Sequence, residues 1–158
     1  MKGARTMDAM WFEDFAPGLV IETAGATISE AQILDFAMQW DPQPFHLDAL
    51  AAAESPYGGL IASGFQTLLV GFRLFLAEGA LRRCSLGSPG IETLRWLRPV
   101  RPGDTIRVRA EVVSARASAS KPDRGIAVLD YAFANQHGET ILTYRCTHLL
   151  LRRPTAGG

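Results

Sequence analysis

"IASGFQTLLVGFRLFLAEGAL", residues 61–81, is the stretch on which the fold turns. Ser63 stands three residues before Gln66, the spacing of a capping box, and so opens a helix predicted to run to about Glu78. Along it Phe65, Leu68, Leu69, Val70, Phe72, Leu74, Phe75 and Leu76 cover nearly the whole circumference. A surface helix keeps one polar face, whereas a helix apolar all round is expected to be buried. The rest of the chain must therefore supply a wrapper.

That wrapper reads as a sheet. Beyond Pro89 the apolar period drops to two: in "TIRVRAEVV", Ile106, Val108, Ala110 and Val112 alternate with Thr105, Arg107, Arg109 and Glu111. "GIAVLDYAFANQ" and "TILTYRCTHLLL" continue the pattern, and "NQHGE" between them supplies a polar hairpin turn with Gly138. With "ETLRWLRPV" and the early "GLVIETAGATI" the count is about five strands, close enough in sequence to be antiparallel neighbours. Upstream of the long helix, "SEAQILDFAMQW" begins with Ser29 three residues before Gln32 and carries Ile33, Phe36, Ala37 and Trp40 on one stripe. Pro42 disfavours the helical conformation in Asp41, so this helix ends there. A buried helix with a mostly antiparallel sheet curving around it is an α+β arrangement.

The chain has 158 residues, enough for one domain with its own core, and its 47% hydrophobic and 20% charged residues are a globular balance. The expected organisation is a flexible leader over residues 1–10, one domain over 11–152 and a tail over 153–158. No apolar run approaches the roughly 18 residues a membrane crossing needs, and the N-terminus has no secretory pattern, so a cytoplasmic location is expected. Sixteen basic residues balance sixteen acidic ones, which argues against a nucleic acid or an anionic membrane as partner. All the bases but Lys2 and Lys121 are arginines, so a local pair such as Arg82 and Arg83 either meets a phosphorylated small molecule or forms a solvated helix end. Cys84 and Cys146 are far apart and fit a reducing interior.

Two places carry candidate chemistry. In "WDPQPFHLDAL", residues 40–50, two prolines between Asp41 and His46 favour a bend that puts carboxylate and imidazole on one side, where together they can hold a water between a base and an acid. The alternative is a helix-end aspartate and an ordinary loop histidine. At the start of the long helix, Ser63 as N-cap leaves the amides of Gly64 and Phe65 without intrahelical partners at the positive end of the dipole, a recipe for holding a developing oxyanion. The alternative is a glycine that only permits tight packing. His137 is expected exposed in the hairpin turn, and His148, on one face with Tyr144, Cys146 and Leu150, is expected buried and hydrogen-bonded. The histidines and cysteines show no metal-ligand spacing. Ser63 lies in "ASG" and not in a GxSxG elbow, and "GSPG" at 87–90 is too short for a phosphate loop.

"FEDFAPG", "DPQPFHLD", "YGGLIASGFQT", "RPVRPGDTI" and "NQHGE", in that order from Trp11 to Arg152, resemble the MaoC-like acyl dehydratase family, which includes (R)-specific enoyl-CoA hydratases. The resemblance implies a hotdog fold, an antiparallel sheet wrapped around a long central helix, paired as a homodimer or higher oligomer with sites near the subunit junction. It places the catalytic pair on Asp41 and His46, and the amide that receives the thioester carbonyl on Gly64, with Phe65 beside it in substrate binding. It departs from the family at Gln43, where many relatives have Asn, and at Phe65 and Gln66, which bears on substrate identity. The implied activity is reversible hydration of a 2-enoyl thioester carried on CoA or an acyl carrier, with no cofactor or metal, because water adds to an already activated double bond. An acyl-CoA thioesterase and a non-catalytic acyl-binding subunit are the alternatives.

Overall fold

The computed structural model describes Met7 and residues 10–155. Of the leader expected over 1–10, only Met7 and Met10 fall within them, and both pack against the core; of the tail expected over 153–158, residues 156–158 lie outside. After a short turn of 3-10 helix at Phe12–Asp14 come β1 (Val20–Glu22) and β2 (Ala26–Thr27). Then follow α1 (Glu30–Trp40), α2 (Pro44–Leu47), α3 (Ala49–Glu54) and α4 (Gly64–Ala77). The chain closes with β3 (Ile91–Trp96), β4 (Thr105–Ala117), β5 (Arg124–Ala134) and β6 (Thr140–Leu151).

The strands form one antiparallel sheet in the order β1-β4-β5-β6-β3, with β2 also on β4. The early segment is thus two short strands, not one. The period-two reading holds residue by residue: Ile106, Val108, Ala110 and Val112 are buried, as are Ala127, Leu129, Tyr131 and Phe133 on β5 and Leu142, Tyr144, Cys146, His148 and Leu150 on β6. These side chains make one face of the sheet, and α4 lies on it: Phe75 meets Tyr131 edge-on at 5.1 Å. Gly71 lets the helix come close, since a Cβ there would stand 2.0 Å from the Phe133 ring. This is the hotdog arrangement that the resemblance implied.

One expectation is corrected in part. α4 is not covered all round in the single chain: Phe65, Leu69, Phe72 and Leu76, spaced 4, 3 and 4 residues apart on one stripe, remain between 40% and 59% exposed. The sheet covers only the opposite side, where Thr67, Gly71 and Phe75 are buried. Trp40, placed by its period on the inner stripe of α1, is likewise exposed, at the last position of that helix. No helix among the described residues is long and apolar enough to cross a membrane.

Candidate active site

The capping box at Ser29 and Gln32 forms with both its bonds, 3.2 and 2.9 Å, and starts α1 as expected. The helix ends at Asp41, whose amide donates to the Ala37 carbonyl while its φ of −150° takes the chain out of helical geometry before Pro42. Pro44 then occupies the first position of α2, where a missing N–H costs nothing. This short turn carries Phe45 and His46, and Asp48 caps the next helix through Leu50 and Ala51. The segment before α4 runs back against it: the Ile61 amide donates to the Phe45 carbonyl at 3.1 Å, and the Ile61 carbonyl accepts from His46 Nδ1 at 2.7 Å.

The bend does what the prolines allowed. His46 Nε2 lies 3.3 Å from Asp41 Oδ2. A backbone carbonyl only accepts, so Nδ1 carries a hydrogen and Nε2 is the nitrogen turned to the carboxylate. The Asp41 carboxylate is held by two further donors, the Ser63 hydroxyl on Oδ2 at 2.7 Å and the Gln43 side-chain amide on Oδ1 at 2.7 Å. Partial burial pushes the acidity of Asp41 the other way, but the bonds from Ser63 and Gln43 and the nearby His46 outweigh it, and its pKa is lowered from the ordinary carboxylate value. Asp41 is an anion near neutrality.

The helix start is corrected in detail. Ser63 does cap α4, but its hydroxyl accepts from the Phe65 amide at 3.2 Å, and Gln66, instead of closing a box, donates to the Gln32 carbonyl at 2.9 Å. Of the two amides expected free, that of Phe65 is taken. Among the described residues no acceptor takes the Gly64 amide, so that donor is unclaimed, whereas Phe65 has only its side chain to offer. The Trp96 indole packs over Gly64, where a Cβ would meet its Nε1 at 2.4 Å, and stands edge-on to Phe65 at 5.8 Å.

Asp41, His46, Gly64 and Phe65 all line one cavity of about 500 Å³, walled by Phe45, Tyr57, Thr67 and Trp96, with Arg98 at its border. The four residues named from the sequence thus stand together. What the sequence reading missed is the second use of Ser63, the grip of Gln43 and the roof of Trp96; only Ser63 had any local signal, and its spacing pointed to capping alone. His137 is exposed and His148 buried with Tyr131 Oη at 2.8 Å from its Nε2, both as expected and both outside the cavity.

Residues 14–128 match the family described as MaoC like domain. The solved MaoC-like dehydratase from Rhodospirillum rubrum is 37% identical with a TM-score of 0.85, over 93% of this chain and all of that one. A Mycobacterium tuberculosis protein with a double hotdog fold is 22% identical with a TM-score of 0.73, over 96% of this chain and 47% of that one, which bears on fold alone. The 3-hydroxybutyryl-CoA dehydratase of Methylorubrum extorquens is 34% identical over 108 residues, 65% of this chain and 64% of that protein's length. By the match over most of its length and by its fold, the chain belongs to the MaoC-like family.

Proposed function

We propose that the protein catalyses the reversible hydration of a 2-enoyl thioester to the 3-hydroxyacyl thioester, on CoA or an acyl carrier. The observation that carries the reading is the convergence of an ionised carboxylate, an imidazole nitrogen and an unclaimed helix-start amide on one cavity. The family supports it, as does the relative that is a 3-hydroxybutyryl-CoA dehydratase.

In this reading the thioester carbonyl accepts from the Gly64 amide at the positive end of α4. Negative charge gathers on that oxygen as water attacks the β-carbon, and a preorganised donor there is worth about 3 kcal/mol, roughly a hundredfold in rate. Asp41 and His46 Nε2 hold the attacking water between them. Its proton passes to the pair as the C–O bond forms, and the pair returns a proton to the α-carbon, so that it ends the turnover as it began. Phe65 and Trp96 give the flat enoyl group an aromatic wall.

The exposed stripe of α4 is covered, we infer, by a second copy. Phe65 on that stripe touches Trp96 of β3, and β3 is an edge strand, so sheet edge and apolar stripe form one continuous surface beside the cavity. Sedimentation of the pure protein at micromolar concentration tests this; a monomer would refute it. The two thiols, Cys84 and Cys146, are unpaired and buried, in keeping with a reducing cytoplasm.

Incubation with crotonyl-CoA decides the reaction. Loss of the conjugated enoyl absorbance without free thiol is expected. Release of thiol would establish the thioesterase instead, and no turnover across a panel of enoyl thioesters, with binding retained, would establish a non-catalytic acyl-binding subunit.

A further inference from the structure

Asp41 can serve the water only if its carboxylate plane is fixed, because the terminal torsion of an aspartate is broad and leaves the two oxygens free to trade places. Oδ2 is fixed by the Ser63 hydroxyl at 2.7 Å. Oδ1 takes its bond from Gln43. Gln43 lies between Pro42 and Pro44, and its own amide donates to the Asp41 carbonyl at 2.8 Å, closing a tight turn. The prolines pin the backbone on both sides, so the side chain is aimed back at the carboxylate two residues earlier. It reaches Oδ1 at 2.7 Å, and both residues line the cavity.

We propose that Gln43 is a positioning residue for Asp41: its side-chain amide locks Oδ1, so that the carboxylate edge offered to His46 and to the attacking water is set before substrate arrives. The inference rests on the hydratase reading of this site. Against Asp41 stand Ser63 from the segment before α4 and His46 from α2, while Tyr57 and Arg98, the latter paired with Glu139, line the same cavity. Gln43 is a neutral donor among them, so removing its amide weakens the support of the carboxylate without altering the charge of the site. It is also one of the groups that hold the Asp41 acid below its ordinary range, and its loss moves that acid upward.

Three substitutions separate the roles. Gln43→Met keeps the length and loses the donor. Gln43→Asn keeps the donor but withdraws it by about 1.5 Å, one carbon–carbon bond, which takes a short hydrogen bond out of reach. Gln43→Glu sets a second anion beside the first. The acid limb of kcat/KM against pH is expected to rise by about one unit in the first two and further in the third, with kcat down about tenfold and KM within about twofold. The carbon-13 signal of the Asp41 carboxyl, assigned with Asp41→Asn, is titrated in parallel on the protein without substrate, and its midpoint is expected to rise in the same order. If the unaltered protein hydrates no enoyl thioester, the reading of the reaction falls, while the carboxyl titration still decides the part played by Gln43. An unmoved midpoint in Gln43→Met overturns the proposal, whether or not that variant melts earlier, because a purely structural glutamine would change melting alone.

Discussion

His46 and His148 are hidden to the same degree, 4% and 5% exposed, and each borders a cleft of similar size, about 500 Å³ for the first and about 520 Å³ for the second. Burial and volume therefore do not tell them apart. Their partners do. His46 sits in a tight turn, with a backbone carbonyl on one nitrogen and the Asp41 carboxylate facing the other. His148 sits mid-strand on β6 against the Tyr131 hydroxyl, and among the described residues no acid lines its cleft. A phenol cannot balance a charge, and burial lowers the pKa of His148 to about 4, while the same burial, with Tyr144 and Cys146 beside it, raises that of Tyr131 far above its usual range. Of the two buried imidazoles only His46 faces a carboxylate, while the surroundings of His148 hold it neutral.

The sharpest way to break this contrast is to remove each side. Asp41→Asn and His46→Ala are expected to lower kcat/KM for crotonyl-CoA about a thousandfold, the scale of lost general acid–base catalysis. His148→Leu should stay within a few-fold of the parent. Steady-state assays at pH 7 check this, and equal losses at His46 and His148 would erase the distinction.

The second effect lies in stability. His148 binds its proton in the unfolded chain below its ordinary pKa of 6.5, but in the folded chain only near pH 4. Its contribution is thus fully present above pH 6.5 and is lost as pH falls to 4, about 3 kcal/mol in all. Asp41, with its pKa lowered, adds its own loss only below 3.8, in a separate window. Urea unfolding between pH 7 and 4 should show the slope in the parent. In His148→Leu the same range should be flatter, though the variant starts lower by about 1–3 kcal/mol because the Tyr131 hydroxyl is left buried without a partner. A parent whose midpoint ignores pH down to 4 would contradict the assignment.

The two serine caps show what a sequence can and cannot disclose. Ser29 and Gln32 closed the box their spacing announced, because both partners are local and exposed and nothing else competes for them. Ser63 and Gln66 have the same spacing and did not. Ser63 is wholly buried beside an anion from a different element, and Gln66 is drawn to α1, contacts 22 and 34 residues away in sequence. Periodicity read β4, β5 and β6 correctly, since alternate burial depends only on the two faces of a sheet. It overstated the burial of α4, because an apolar circumference states that a surface must be covered and not which chain covers it. The meeting of Asp41 with His46 was open on the residues alone; the resemblance gave it, and the Ile61 carbonyl that orients the ring left no trace in the sequence.

Ser63 sharpens the comparison at the smallest scale, because its one hydroxyl serves both fold and site. It donates its hydrogen to Asp41 Oδ2 and accepts from the Phe65 amide, which one hydroxyl with one hydrogen and two lone pairs can do at once. Ser63→Ala loses both, and is expected to cost about 1 kcal/mol as a lost cap and about tenfold in kcat as a loosened carboxylate. Ser63→Gly loses the same bond to Asp41, yet glycine is nearly as good at an N-cap, so its melting temperature should stay closer to the parent while its kcat falls as far as in the alanine variant. Thermal melts and steady-state rates on the pair therefore divide the two uses of one oxygen. A glycine variant with the parent's kcat would mean that Asp41 is held well enough by Gln43 and His46 alone, and that the buried hydroxyl belongs to the helix and not to the reaction.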